Sequence, residues 1–284
     1  MTALSVKNLT KSYAHFCLDR VSFTVEEGRI VGLIGRNGAG KSTTINGILR
    51  LISAQGSVQV FGKEFKSEEN EIKQKVGYVG GGFAQYPLKK LSVIRKIYAS
   101  FYPAWNVEEY GLYLKKFGLD ENKRVRELSE GMKVKFSLAL ALSHGARLLV
   151  MDEPTSGLDP VSREEFCDIV LSLVRGKGVS VLFSTHITSD LMRIADGIVY
   201  ISDGKILLES SLKALLCKYA LVRFSTAEAA CRASAIGVKS VKDGFEGLLP
   251  RSSVPPEGAA VSEASLDQIM IHLEESMKEK NTLC

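Results

Sequence analysis

The sequence predicts an α/β fold with a parallel central sheet, followed by a small α+β appendage, and three features lead there. The apolar run Ile30–Ile34 enters the stretch Gly35–Thr43 (GRNGAGKST), and helical spacing leaves it from Ser42 to Leu51. A second apolar run, Arg147–Met151, ends in the acidic pair Asp152-Glu153. Asp203-Gly204 separates two more runs, Gly197–Ser202 and Ile206–Glu209, as a hairpin turn would, and the composition changes soon after, from about Ser211.

The stretch after Ile34 has the spacing G-x-x-x-x-G-K-S of a phosphate-binding loop. Glycines let the backbone curl until successive N–H groups point into one concavity that holds phosphate oxygens. A helix starting at about Lys41 adds the positive end of its dipole. Gly35, Arg36, Asn37, Gly38, Ala39, Gly40, Lys41, Ser42 and Thr43 are therefore the candidate phosphate-binding residues. Lys41 would reach the β- and γ-phosphates, and the Ser42 hydroxyl would serve Mg²⁺.

The chain has 284 residues, 45% hydrophobic and 24% charged, enough for a core in a main domain with an appendage. Its net charge of +5 is mild, and its Lys and Arg residues are scattered along the chain, which argues against a nucleic-acid partner. The cysteines at positions 17, 167, 217, 231 and 284 show neither paired metal spacing nor a disulfide framework. The N-terminus lacks the pattern of a signal peptide. No apolar run approaches the ~18 residues of a membrane span, so any membrane association is expected to come through a partner.

In chain order, Leu4–Leu9 and Val21–Val25 read as half-buried strands. Tyr13 lies between them, and its position alone leaves it open whether the ring is packed or stacks on a purine. Ser57–Phe61 and Val76–Val79 are further strands, the latter running into a loop at Gly80-Gly81-Gly82. Leu91–Phe117 is helical on either side of a break at Pro103 and is rich in aromatics. Ser129 is typed as the N-cap of a helix over Met132–Leu142, with Glu130 in its first turn. The acidic pair sits at the carboxyl end of a strand, where open α/β sheets bind ligands. Asp152 suits an Mg²⁺ ligand through water, and Glu153 a base that positions the attacking water. Pro160–Arg175 is a helix and Val179–Ser184 the next strand, directly followed by His186, whose position suggests a γ-phosphate contact.

Taken together, these motifs resemble the nucleotide-binding subunits of ABC (ATP-binding cassette) transporters. GRNGAGKST matches the family's phosphate loop, LSEGMK its signature, LLVMDEP its acidic strand, TSGLD its dimer-contact loop and STH its histidine switch, in order from residue 3 to about 209. The resemblance implies a cassette over residues 1–210, with a RecA-like core, an antiparallel β subdomain and a helical subdomain at about 91–145. Residues 211–284 form the small accessory domain. It implies ATP and Mg²⁺ as cofactors and a head-to-tail dimer with a second, identical or different, nucleotide-binding subunit. Ser129, Glu130 and Gly131 would act in trans on the partner's ATP, and Ser156, Gly157, Leu158 and Asp159 would form the dimer-contact loop. Lys41, Glu153 and His186 would be the catalytic set, and Tyr13 falls at the adenine-stacking aromatic.

Three positions, in two motifs, depart from the family pattern. Glu130 and Met132 replace a glycine and a glutamine of the usual signature, and Gly81 stands where a glutamine normally follows the Val76–Val79 strand. A single cassette, the FYPAWN segment and the appendage look most like bacterial exporter ATPases that serve a separate membrane permease and carry peptides, antibiotics or lipids. Such a chain sits at the cytoplasmic face of the cell membrane, peripheral through the permease. An importer ATPase and a soluble cassette not coupled to transport are the alternatives. The segment Gly80–Phe117 is the expected permease-docking region, with Phe101, Tyr102 and Trp105 as aromatic anchors.

Overall fold

In the computed structural model, β1 (Thr2–Ser12) and β2 (Cys17–Glu26) form an antiparallel ladder, and β2 alternates buried and exposed residues. Both strands outrun the expected Leu4–Leu9 and Val21–Val25 because cross-strand pairing continues past the apolar core, from Thr2 opposite Glu26 to Ser12 opposite Cys17. The structure describes residues 1–81, 83, 85–256 and 258–282, with side chains to residue 277. β3 (Ile30–Ile34) is buried at every residue and leads through the phosphate loop into α1 (Lys41–Ile48). β4 (Gln55–Val60) and the two-residue β5 (Lys63–Glu64) complete a four-stranded antiparallel sheet of order β2-β1-β4-β5. α2 (Glu69–Lys75) then leads to β6 (Val76–Gly80).

Three helices follow. α3 (Leu91–Phe101) and α4 (Val107–Phe117) flank Pro103, which breaks the helix as expected. Asn106 caps α4 by accepting the Glu109 N–H at 2.9 Å, and Gly118 ends it in the left-handed region at φ 64°. α5 (Glu130–Ser143) starts at Ser129, whose Oγ accepts the Met132 N–H, and its second half is buried throughout. Tyr110, Tyr113 and Phe117 are the buried residues of α4, which packs on α5. Two of the three expected docking anchors are packing residues. Tyr102 stacks on the buried His144 with ring centroids 3.9 Å apart, and Trp105 packs on Tyr110 at 5.4 Å. Phe101 alone of the three is exposed, at 70%. The break at Pro103 turns the two rings inward, toward the end of α5, where the Asn106 N–H donates to the Ser143 carbonyl at 2.7 Å.

β7 (Leu148–Asp152), α6 (Pro160–Lys177), β8 (Ser180–Thr185), α7 (Thr188–Ile194), β9 (Gly197–Ser202) and β10 (Lys205–Ser211) complete the second sheet. Its order is β10-β9-β3-β8-β7-β6, and β9, β3, β8, β7 and β6 run parallel. Strands buried on both faces need continuous apolar runs, and IVGLI, LLVM and VLF supply them.

The chain divides into two compact units, Met1–Glu209 and Ser210–Cys284. The second unit contains α8 (Leu212–Lys218), β11 (Tyr219–Phe224), α9 (Ala227–Arg232), β12 (Ile236–Val241), β13 (Gly244–Pro250), β14 (Ala260–Glu263) and α10 (Leu266–Thr282). Its antiparallel sheet has the order β12-β13-β11-β14, and α10 packs on β12. The buried His272 of α10 pairs with the Gly237 carbonyl through Nδ1 at 2.6 Å.

One buried carboxylate ties α7 to the loop that follows β7. Thr155 Oγ1 donates to Asp190 Oδ2 at 2.7 Å, and Arg163 Nε lies 3.9 Å from Oδ1. Arg163 also donates to the Leu158 carbonyl at 3.4 Å, so both ends of the Thr155–Leu158 turn are held from Asp190. Burial pushes the Asp190 carboxyl up from its ordinary value, against the opposing pull of the Thr155 hydroxyl and of Arg163. The folded chain therefore holds this proton more tightly than the unfolded chain does. The stability that follows is complete below the unfolded value near 4 and is lost as pH rises through the raised folded value. Asp190→Asn keeps an acceptor for Thr155 and cannot titrate. The denaturant midpoint of the wild type, measured against this variant, should fall as pH rises from about 4 to 7. A difference that stays flat over that range contradicts the account.

Candidate functional site

The parallel strands deliver the predicted residues to one edge. β3 lies beside β8, β8 beside β7 and β7 beside β6, so the carboxyl ends of all four stand in a row. The phosphate loop leaves the first, His186 follows the second, Asp152 and Glu153 end the third, and Gly81 follows the fourth. Such an edge is where open α/β sheets bind their ligands.

Gly40 is the residue before α1, at φ 112°, a backbone conformation that a side chain would strain. It offers no side-chain cap, so the first-turn N–H groups of α1 are left for an anion. Phe16 lies across this glycine, with Cζ 2.9 Å from where a Cβ would stand. Its ring is 6.4 Å from that of Tyr13, and the Tyr13 N–H donates to the Phe16 carbonyl at 2.8 Å. Tyr13 is half-exposed beside the loop, with the Lys11 ammonium 5.3 Å from its ring. Phe16 escaped the sequence reading, although the aromatic pair in YAHF was its signal.

Lys41 is buried, and its ammonium lies among three acceptors: the Gly35 carbonyl at 2.8 Å, the Arg36 carbonyl at 3.2 Å and Glu153 Oε1 at 3.1 Å. The other oxygen of Glu153 pairs with His186 Nδ1 at 2.8 Å. One carboxylate thus bridges the phosphate-loop lysine and the histidine. Glu153 has φ 49°, the left-handed region, and its N–H is held by the Ser184 carbonyl at 3.1 Å and Ser184 Oγ at 3.2 Å. Ser184 Oγ donates to Asp152 Oδ1 at 2.6 Å. Ser184, the first residue of the STH segment, thus holds the Asp152 carboxylate through its hydroxyl and the Glu153 backbone N–H through its carbonyl and hydroxyl.

Not every expected residue joins this cluster. The N-cap of α5 places Ser129, Glu130 and Gly131 beside the start of α6, where a Cβ on Gly131 would be 3.8 Å from Leu158 Cδ2 and 3.9 Å from Ser162 Cβ. Glu130 pairs with Lys133 at 2.6 Å. Asp159 caps α6, accepting the Val161 and Ser162 N–H groups, each at 3.0 Å, and the Ser162 hydroxyl at 2.6 Å. Those bonds, the Ser162 hydroxyl's above all, hold its carboxyl below the usual carboxylate range. Ser156 and Gly157 form the turn between Glu153 and Leu158, closed by the Ser156 N–H on the Glu153 carbonyl at 3.1 Å.

The missing glutamine has a physical counterpart. A Cβ on Gly81 would stand 2.5 Å from the Glu153 carbonyl oxygen, so the backbone itself fills the space a side chain would need. Gln85, the nearest glutamine after the Val76–Val79 strand, is exposed, and Gly82 lies outside the described residues. Gly81→Ala should lower stability by about 1–3 kcal/mol, in the range for overpacking, and Gly81→Gln by at least as much. Denaturant titration checks this, and unchanged midpoints contradict the close approach.

Comparison with known proteins follows the same geometry. The family model described as ABC transporter matches residues 18–156. The chain is 33% identical over 215 residues to the bacitracin transport ATP-binding protein BcrA of Bacillus licheniformis, spanning 73% of this chain and 69% of that protein. It is 34% identical over 215 residues to the lantibiotic transport ATP-binding protein SrtF of Streptococcus pyogenes, spanning 72% and 90%. Among solved structures, an ATP-binding subunit of an ABC transporter superposes with a TM-score of 0.67 at 28% identity, covering 75% of this chain and 91% of that one. The cassette MJ0796, solved as a dimer in a post-hydrolysis state bound to ADP and Pi, gives 0.63 at 27% identity, covering 74% and 98%. The chain belongs to the ABC transporter family, as one of its ATP-binding, ATP-hydrolysing subunits.

Proposed function

We propose that this chain powers export of a peptide, antibiotic or lipid through a separate membrane permease, working as one half of a cassette dimer at the cytoplasmic face of the membrane. The observation that carries the ATPase chemistry is the bridge Lys41–Glu153–His186 at the strand ends. The export direction draws on the relatives named for bacitracin and lantibiotic transport. No helix among the described residues is long and apolar enough to cross a membrane, which suits a chain whose transport path lies in another subunit.

In this reading Tyr13 stacks on the adenine, with Phe16 bracing it against the phosphate loop. The backbone of Gly35–Gly40, the first turn of α1 and Lys41 hold the phosphates, with Ser42 and Thr43 at the start of the helix. The residues suit a divalent cation bound mainly through phosphate and water: the Ser42 hydroxyl is exposed, and Ser184 orients Asp152 through Oδ1. Mg²⁺ there would neutralise phosphate charge. Glu153 takes a proton from the attacking water, and His186 orients that carboxylate and contacts the γ-phosphate. Ser129 and Gly131, at the start of α5 beside Leu158 and Ser162, reach ATP on the partner subunit, and Ser156–Asp159 meets that partner.

Glu153→Gln should still bind ATP but hydrolyse it at least ~100-fold more slowly, as the loss of a general base implies. ATP trapped in this way should hold the variant as a dimer in size-exclusion chromatography. Turnover close to that of the wild type would sink the assignment.

A further inference from the structure

The scatter of Lys and Arg along the sequence does not survive folding. Residues 87–92 and 121–126 lie side by side ahead of α3 and α5. Lys90 and Arg124 are partners in an antiparallel bridge. The Leu91 N–H donates to the Lys123 carbonyl at 3.0 Å, the Val125 N–H to the Lys89 carbonyl at 3.2 Å, and the Arg126 N–H to the Pro87 carbonyl at 3.0 Å. The pairing gathers Lys89, Lys90, Lys123, Arg124 and Arg126, all exposed, onto one small surface.

Folding does not require these charges. Leu91 and Val125, at 0% and 1% exposure, do the packing, and like charges directly across a bridge work against it. The nearby carboxylates are engaged: Glu121 pairs with Arg95 at 3.3 Å, Glu127 accepts the Arg124 backbone N–H at 2.6 Å, and Asp120 accepts the Asn122 N–H at 2.9 Å. Among the described residues, none of the five cations has an ion-pair partner. The turn that leads into the first segment, closed by the Lys89 N–H on the Tyr86 carbonyl at 2.9 Å, carries two more exposed side chains, Tyr86 at 60% and Leu88 at 61%.

We infer that this surface binds anionic phospholipid headgroups, with Tyr86 and Leu88 seated at the headgroup boundary. Clustered Lys and Arg are drawn to anionic leaflets, and tyrosine beside an aliphatic tip suits the interface between headgroup and acyl chain. An acidic segment of the permease would match the charge as well, since Tyr86–Lys90 falls within the Gly80–Phe117 region, and the test separates that occupant from lipid. The inference rests on the reading of the chain as a permease-bound ATPase, which is what brings it to a membrane.

The test is cosedimentation of the purified full-length chain with vesicles of phosphatidylcholine alone or mixed with phosphatidylglycerol. The wild type should bind the mixed vesicles, lose them as salt rises, and ignore phosphatidylcholine alone. Each lost cation should weaken partitioning about fivefold. The combined variant Lys89→Gln, Lys90→Gln, Lys123→Gln and Arg124→Gln should therefore lose at least ~100-fold, with ATP affinity and unfolding midpoint unchanged. A control with the same net charge, Lys66→Gln, Lys115→Gln, Lys116→Gln and Lys242→Gln, should keep most of the binding. Absent binding by the wild type, equal binding to both vesicles, or an equal loss in the control overturns the inference. So does a combined variant that keeps its vesicle affinity but no longer co-purifies with the permease, which would assign the surface to an acidic protein. Vesicle binding is scored without turnover, so its failure leaves the ATPase reading intact, and normal turnover by Glu153→Gln leaves the vesicle result standing.

Discussion

The site depends on how one buried ammonium is neutralised. Lys41 has three donors, and the Gly35 carbonyl, the Arg36 carbonyl and Glu153 stand around them. A buried charge without such partners would cost several kcal/mol. The loop therefore has to curl back over its own lysine, and β7 has to end where Glu153 can reach it. The φ of 49° at Glu153 fits that demand, since it turns the side chain from the sheet toward the loop while Ser184 holds the backbone. On the proposed assignment nucleotide phosphate would enter where the carboxylate now stands, so that binding and the placement of the proposed base would be two sides of one exchange.

The parallel sheet makes this exchange visible elsewhere in the chain. Glu153 also meets His186, and four residues past that histidine Asp190 holds the Thr155–Leu158 turn through Thr155 and Arg163. A shift of the carboxylate therefore bears on the histidine segment and on the turn proposed to face the partner subunit. Gly81 closes the other side, its backbone against the Glu153 carbonyl. The absence of a side chain there is part of how this chain places its glutamate.

The sequence was most legible where chemistry demands fixed residue types at fixed spacing. The phosphate loop, the acidic pair and the cap at Ser129 could each be read from a few adjacent residues, because each is a local backbone device. Contacts between distant segments carried no such mark. Asp190 is an ordinary polar residue until it meets Thr155 in the loop after β7, and Ser184, though part of STH, shows its hold on Asp152 and Glu153 only when β8 pairs with β7. The basic surface is split between two segments some thirty residues apart, and only their pairing ahead of α3 and α5 unites it. Tyr102 and Trp105 were equally unmarked: aromatic character suits an interface and a core alike, and in the fold Tyr102 stacks on His144 and Trp105 packs on Tyr110 while both stay half-buried.

The exchange at Lys41 can be measured directly by titrating ATP into the wild type and into Glu153→Gln. If Glu153 is the group that phosphate displaces, removing its charge frees the ammonium and lessens repulsion of the nucleotide. The variant should then bind ATP on the order of tenfold more tightly, the worth of one charge-assisted bond. Equal or weaker binding by Glu153→Gln would show that the carboxylate does not compete with phosphate for Lys41.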